Sequence, residues 1–119
     1  MLKTADKVSA REIVYNITPK LKATENLINN TLQEMITQAS DDSERGRRQL
    51  LQQEFELEIM MIKMNLDHLL KRYVKEIQAA SESSGKDSDA LLELDQHERF
   101  AIDSAKKLYE RVRDIQTGR

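Results

Sequence analysis

Residues 47–80 read RRQLLQQEFELEIMMIKMNLDHLLKRYVKEIQAA and contain neither glycine nor proline. Within them Phe55, Ile59, Ile62, Leu66, Leu69 and Tyr73 step by 4, 3, 4, 3 and 4, with Ile77 one turn further on. That spacing holds one stripe on one face of a helix of about 3.6 residues per turn. It predicts a single long helix from Arg47 to about Ala80, about 50 Å long at about 1.5 Å per residue. Met60, Met61 and Met64 add apolar surface beside the stripe, and Leu50, Leu51 and Leu57 extend it toward the N-terminal end. The central turns are therefore expected to be covered on more than one side. A break near Asn65-Leu66-Asp67-His68, giving two ordinary helices, is the competing reading.

Working outward, residues 40–46 are polar, acid-rich and contain Gly46, which reads as a connection whose acids favour the following helix start. Before it, Leu21, Ile28, Leu32, Met35 and Ala39 step by 7, 4, 3 and 4, with Ile36 widening the stripe. Thr18-Pro19 reads as the start of that helix, because proline at the first helical position loses only an amide that is unpaired there anyway. The expected span is 19–39. Ser9-Ala10-Arg11-Glu12 has capping-box spacing and opens a short helix over about 9–16. Beyond the long helix, residues 81–89 are serine-rich without one apolar side chain and predict a flexible loop. Residues 90–94 are expected to form a turn or a short helix. Asp95-Gln96-His97-Glu98 repeats the cap-plus-acid spacing and opens a last helix over about 96–116, where Ala101, Ala105, Leu108, Val112 and Ile115 step by 4, 3, 4 and 3. Gly118 supplies a stop. The fold class expected is all-α: one domain over 1–119, an elongated bundle of about four helices around one long central helix.

Composition agrees and removes several function classes. Of 119 residues 39% are apolar, 34% charged and 4% aromatic, and 19 basic against 21 acidic side chains leave a charge of −2. There is no cysteine, which excludes disulfide frameworks, thiolate zinc sites and cysteine nucleophiles and suits a reducing compartment. The longest apolar run is Ile59-Met60-Met61-Ile62, against about 20 residues for a membrane-spanning helix, and no apolar leader begins the chain. A soluble cytoplasmic or nuclear protein without membrane contact is expected.

Catalytic chemistry finds no constellation. His68 and His97 are the two histidines. Glu93 and His97 would lie one turn apart if their segment were helical, but a metal needs further ligands and a paired Glu-x-x-His motif is absent. Glu54, Glu56 and Glu58 alternate on the long helix without a convergent nucleophile or phosphate loop, and face either a partner's cation or solvent. The expectation is a non-enzyme with no catalytic, cofactor-binding or metal residues. Basic clusters at Arg45/Arg47/Arg48, Lys71/Arg72/Lys75 and Lys106/Lys107/Arg111/Arg113 are all interleaved with acids. With no tryptophan, three tyrosines and two phenylalanines, the chain lacks a base-stacking platform, which argues against direct nucleic-acid binding.

Helix lengths point to a partner instead. Helices of about 30 Å cannot cover one of about 50 Å side by side, so a strip near Leu50–Leu57 or near Leu69–Ile77 stays open. Such strips are normally covered by another chain. The expected interface, to a protein partner or a second copy, comprises Leu50, Leu51, Phe55, Leu57, Met60, Met61, Met64, Leu69, Tyr73 and Ile77.

One stretch resembles a family. Leu50-Leu51-Gln52-Gln53-Glu54-Phe55-Glu56-Leu57-Glu58, leading to Lys71-Arg72-Tyr73-Val74-Lys75-Glu76-Ile77, is similar to the central helix of the GINS replication-complex subunits. Leu94-Asp95-Gln96-His97-Glu98-Arg99-Phe100-Ala101, running to Leu108-Tyr109, is similar to that family's next helix. The resemblance covers about 50–109. It implies an α-helical domain without catalytic residues that packs with sister subunits and helps couple the replicative MCM helicase to other replisome proteins. Two departures stand beside it: the family's small β-domain is absent, so the chain would be an isolated or truncated α-domain, and the first 40 residues carry no matching motif. Read this way the chain is a helical scaffold or assembly subunit. The alternative is a helical adaptor or chaperone-like module that uses Met60, Met61 and Met64 to cover an amphipathic segment of a partner.

Overall fold

The computed structural model describes residues 6–82 and 90–118. The chain is all-α and elongated, 53 × 34 × 24 Å, and its described residues form four helices and one two-stranded ladder. In order these are β1 (Lys7–Ser9), α1 (residues 10–37), α2 (Asp42–Arg72), α3 (Val74–Glu82), β2 (Leu91–Glu93) and α4 (Gln96–Thr117). Helices α1 and α2 form a hairpin, α4 packs across both, and α3 folds back on the beginning of α1.

Pro19 does not start a helix. The segments expected over 9–16 and 19–39 are one continuous helix, α1, which runs through the proline. Its turn Ile13–Ile17 is π-helical, and the Thr18 N–H donates to the Ile13 carbonyl five residues back. A widened turn just ahead of proline shifts the carbonyl register that its ring would otherwise strike. The wide turns also serve packing. Buried Ile13, Ile17 and Leu21, then Thr24, Ile28, Leu32 and Ile36, advance mostly by four residues. In a plain α-helix each step of four drifts by about 40°, and the π turns Ile13–Ile17 and Ile28–Leu32 take up that drift.

Helix α2 begins five residues before the expected Arg47, because Asp41 caps it: its Oδ1 accepts the Glu44 N–H at 2.7 Å. Arg48 pairs with Glu44 at 2.9 Å and donates to the Met35 carbonyl at the end of α1, so part of the first basic cluster closes a helix end.

The helix expected to run unbroken to Ala80 stops at Tyr73, which has φ −122° and ψ 37°. Neither the uninterrupted rod nor the break near Asn65 is what forms. The cause is tertiary: the Tyr73 hydroxyl accepts the Glu93 N–H at 3.1 Å, and Arg72 Nη2 donates to the Glu93 carbonyl at 2.7 Å. Beyond the break α3 returns to α1, where Ala80 is buried and its carbonyl accepts the Tyr15 hydroxyl at 3.0 Å.

Residues 90–94, expected as a turn or helix, instead supply β2. It pairs antiparallel with β1, Val8 opposite Leu92, and is extended by Ala10 N–H to Ala90 O and Leu94 N–H to Asp6 O, both 3.0 Å. Of the loop expected over 81–89, Ser81 and Glu82 belong to α3 and 83–89 lie outside the described residues. Helix α4 carries a full capping box and ends on Gly118 at φ 80°. Its Ala101, Ile102, Ala105, Leu108 and Val112 meet the α2 stripe and the buried side chains of α1 in one core. No helix among the described residues is long and apolar enough to cross a membrane.

Candidate functional site

Packing uses one face of α2 and leaves the opposite one bare. Phe55, Ile59, Ile62, Leu66 and Leu69 are buried, whereas Leu50, Leu57, Met60, Met61 and Met64 each keep 55–67% of their surface exposed. The exposed set lies about half a turn from the buried set at about 100° per residue. Contiguous apolar surface of this kind is uncommon on a protein that works alone.

The ten residues expected at a partner interface are thus divided. Phe55 and Leu69 belong to the core and are corrected out of the surface. Leu51, Tyr73 and Ile77 are half-buried against that core, the last two because α3 turns back at Tyr73 instead of projecting. Leu50, Leu57, Met60, Met61 and Met64 remain and share the outward side of α2. Phe100 on α4, 66% exposed, joins them across a small apolar groove of about 200 Å³ lined by Met61, Ile62 and Ala101. On the other flank Met60 and Met64 border a groove of about 370 Å³ between α1 and α2, over Ile28 and Ile59. Its rim carries Glu25, Glu56, Lys63 and Asp67, with Lys63 Nζ 3.0 Å from Glu25.

Glu56 lines that rim, while Glu58 lies 3.6 Å from Arg111, whose guanidinium sits 5.0 Å above the Phe55 ring. The third basic cluster is likewise engaged within the chain: Lys106 is 3.7 Å from Glu12 and Arg113 lies over the Tyr109 ring.

A second feature was not visible in the sequence. Glu98, 1% exposed, is the acid of the α4 capping box, and its carboxylate also accepts Arg72 Nε at 3.0 Å, Arg72 Nη2, and His68 Nδ1 at 2.8 Å. The Asp95 N–H donates to it at 2.9 Å. Burial pushes the Glu98 carboxyl up, but the hydrogen bonds from Arg72, the Asp95 backbone and His68 outweigh it and hold the group below the usual carboxylate range. Arg72 is raised in turn, chiefly by its hydrogen bond to Glu98. Asp95-x-x-Glu98 signalled a cap; nothing in the chain order signalled that Arg72, 26 residues earlier, would meet it.

Ligand atoms of His68, Asp95 and Glu98 lie within 4.8 Å of one another, a grouping that invites a cation. Arg72 already occupies both Glu98 oxygens, so an added cation would meet a guanidinium with no Glu98 oxygen left to itself. The cluster reads as a clamp joining α2, β2 and α4. Glu93 is in β2, so the one-turn relation with His97 considered for a metal pair does not form.

Comparison with protein-family models, curated proteins and solved structures finds no match to this chain. The GINS resemblance over 50–109 is carried by the sequence alone.

Proposed function

We propose that this chain is a non-enzymatic helical assembly subunit whose outward α2 face receives another helix. The observation that supports it is the double use of α2: one stripe closes the core, and Leu50, Leu57, Met60, Met61 and Met64 opposite it stay exposed. Methionine's flexible, polarisable side chain suits a surface that must fit a second helix. The GINS-type version of this reading, an α-domain beside sister subunits, rests only on the residues quoted for it above. The experiment is the native size of the protein in extract of its own cells. A species well above 13.8 kDa is expected for the unaltered chain, and monomer size for Met60→Glu/Met64→Glu. Monomer size for both sinks the reading, and so does an assembly that the double variant leaves intact.

A further inference from the structure

The groove between α1 and α2 is built differently from the bare face beside it. Its floor is Ile28 and Ile59, both buried, and Met60 and Met64 border it. At about 370 Å³ it falls among the clefts that take small molecules, about 300–1,000 Å³, which combine an apolar lining with a few polar groups. One wall is the wide turn Ile28–Leu32, which brings Ile28 and Asn29 to the groove, and π turns within a helix recur at functional sites. The two thioether side chains can re-pack around a ligand.

The polar groups of the groove have one dominant sign. Glu25, Glu56 and Asp67 line it against a single cation, Lys63, which already stands 3.0 Å from Glu25. Among the described residues Glu56 and Asp67 have no ion-pair partner, so two negative charges stay uncompensated beside an apolar floor. Both side chains project from the same side of α2, about 16 Å apart along its axis, with Met60 and Met64 between them. The groove therefore offers a carboxylate toward each end and apolar surface in the middle. We infer that it binds a small organic cation, a primary alkyl or aryl amine whose ammonium meets Glu56 or Asp67 and whose apolar body lies on Ile28, Ile59, Met60 and Met64. The three acids repel a carboxylate ligand, and a neutral one gains nothing from them. The groove forms within one chain, so this inference stands apart from the docking reading.

Hexylammonium, hexanol and hexanoate share one apolar chain and differ in charge at neutral pH, which makes them the probes. The purified full chain, labelled with carbon-13 in its methionine methyl groups, reports by NMR where each one goes. Hexylammonium should move the Met60 and Met64 signals to saturation with a dissociation constant on the order of a few mM, as suits so small a ligand. Met61, which lines the groove on the other flank, should move much less. Hexanol should bind about five-fold more weakly than hexylammonium at low salt, hexanoate more weakly again, and high salt should narrow the gap. Glu56→Gln/Asp67→Asn changes two exposed side chains, and circular dichroism checks that the variant folds. It should still bind hexanol and lose its preference for the ammonium. Equal affinity for the three probes, tighter binding of hexanoate, or a preference that survives the double variant overturns the assignment of a cation. Met61 shifts as large as those of Met60 and Met64, or no shift at about 20 mM hexylammonium, overturns the site itself.

Discussion

At Glu98 a carboxylate with 1% of its surface exposed stays ionised because Arg72, His68 and the Asp95 N–H all donate to it. Its folded value lies below the 4.5 of a free glutamate, so the stability it lends is fully present above about that pH. That stability is lost as pH falls through the folded value. Urea melts of the wild type between pH 7 and pH 3 should show stability dropping at the acid end. Glu98→Gln should cost about 2 kcal/mol at pH 7, since it removes charge-assisted hydrogen bonds from a buried site, and should flatten the acid slope. An unchanged slope would assign the acid loss to other carboxylates. Tyr73→Phe removes a hydroxyl bonded to the Glu93 backbone and should cost about 1 kcal/mol in the same assay. Asp95 and Glu98 announce a helix start by their spacing, whereas the pairing of Glu98 with Arg72 depends on how α2 and α4 cross and has no local signal.

Among the elements, α2 carries its own test. Gly46 lies in its first turns, and a methyl group there would meet nothing within 4 Å. Gly46→Ala should stabilise the protein by about 0.5–1 kcal/mol, read as a higher urea midpoint at unchanged slope. Loss of stability would mean that this part of α2 is not helical in solution. Ile62, 3% exposed in the middle of the buried stripe, gives the opposite extreme: Ile62→Asp should abolish cooperative unfolding. The stripe Phe55, Ile59, Ile62, Leu66, Leu69 was legible because a helix face repeats along the chain. The end of α2 was not, because Tyr73 and Val74 are unremarkable in a helix and only the distant Glu93 backbone stops it there. Pro19 failed as a signal for a related reason: a π turn ahead of it lets the helix continue, and the buried faces on either side reward continuation.

In the whole molecule α4 is the keystone, with Leu108 fully buried in the core shared by α1, α2 and α4. Leu108→Ala should destabilise by about 3 kcal/mol in chemical denaturation, the transfer loss and the cavity adding together. The sequence by itself determined that the chain is all-α, which faces of 47–72 and 96–116 are apolar, and where the last helix begins and ends. These follow from period, caps and glycine, which act within a few residues. Tertiary structure alone decided that α1 runs unbroken past Pro19, that α2 yields to α3 at Tyr73, and that residues 91–93 pair with 7–9. It also decided which apolar side chains of α2 are spent on the core and which stay exposed. A helix states its faces locally, but which face is covered depends on the helices that arrive from elsewhere in the chain, and no spacing within α2 records their arrival.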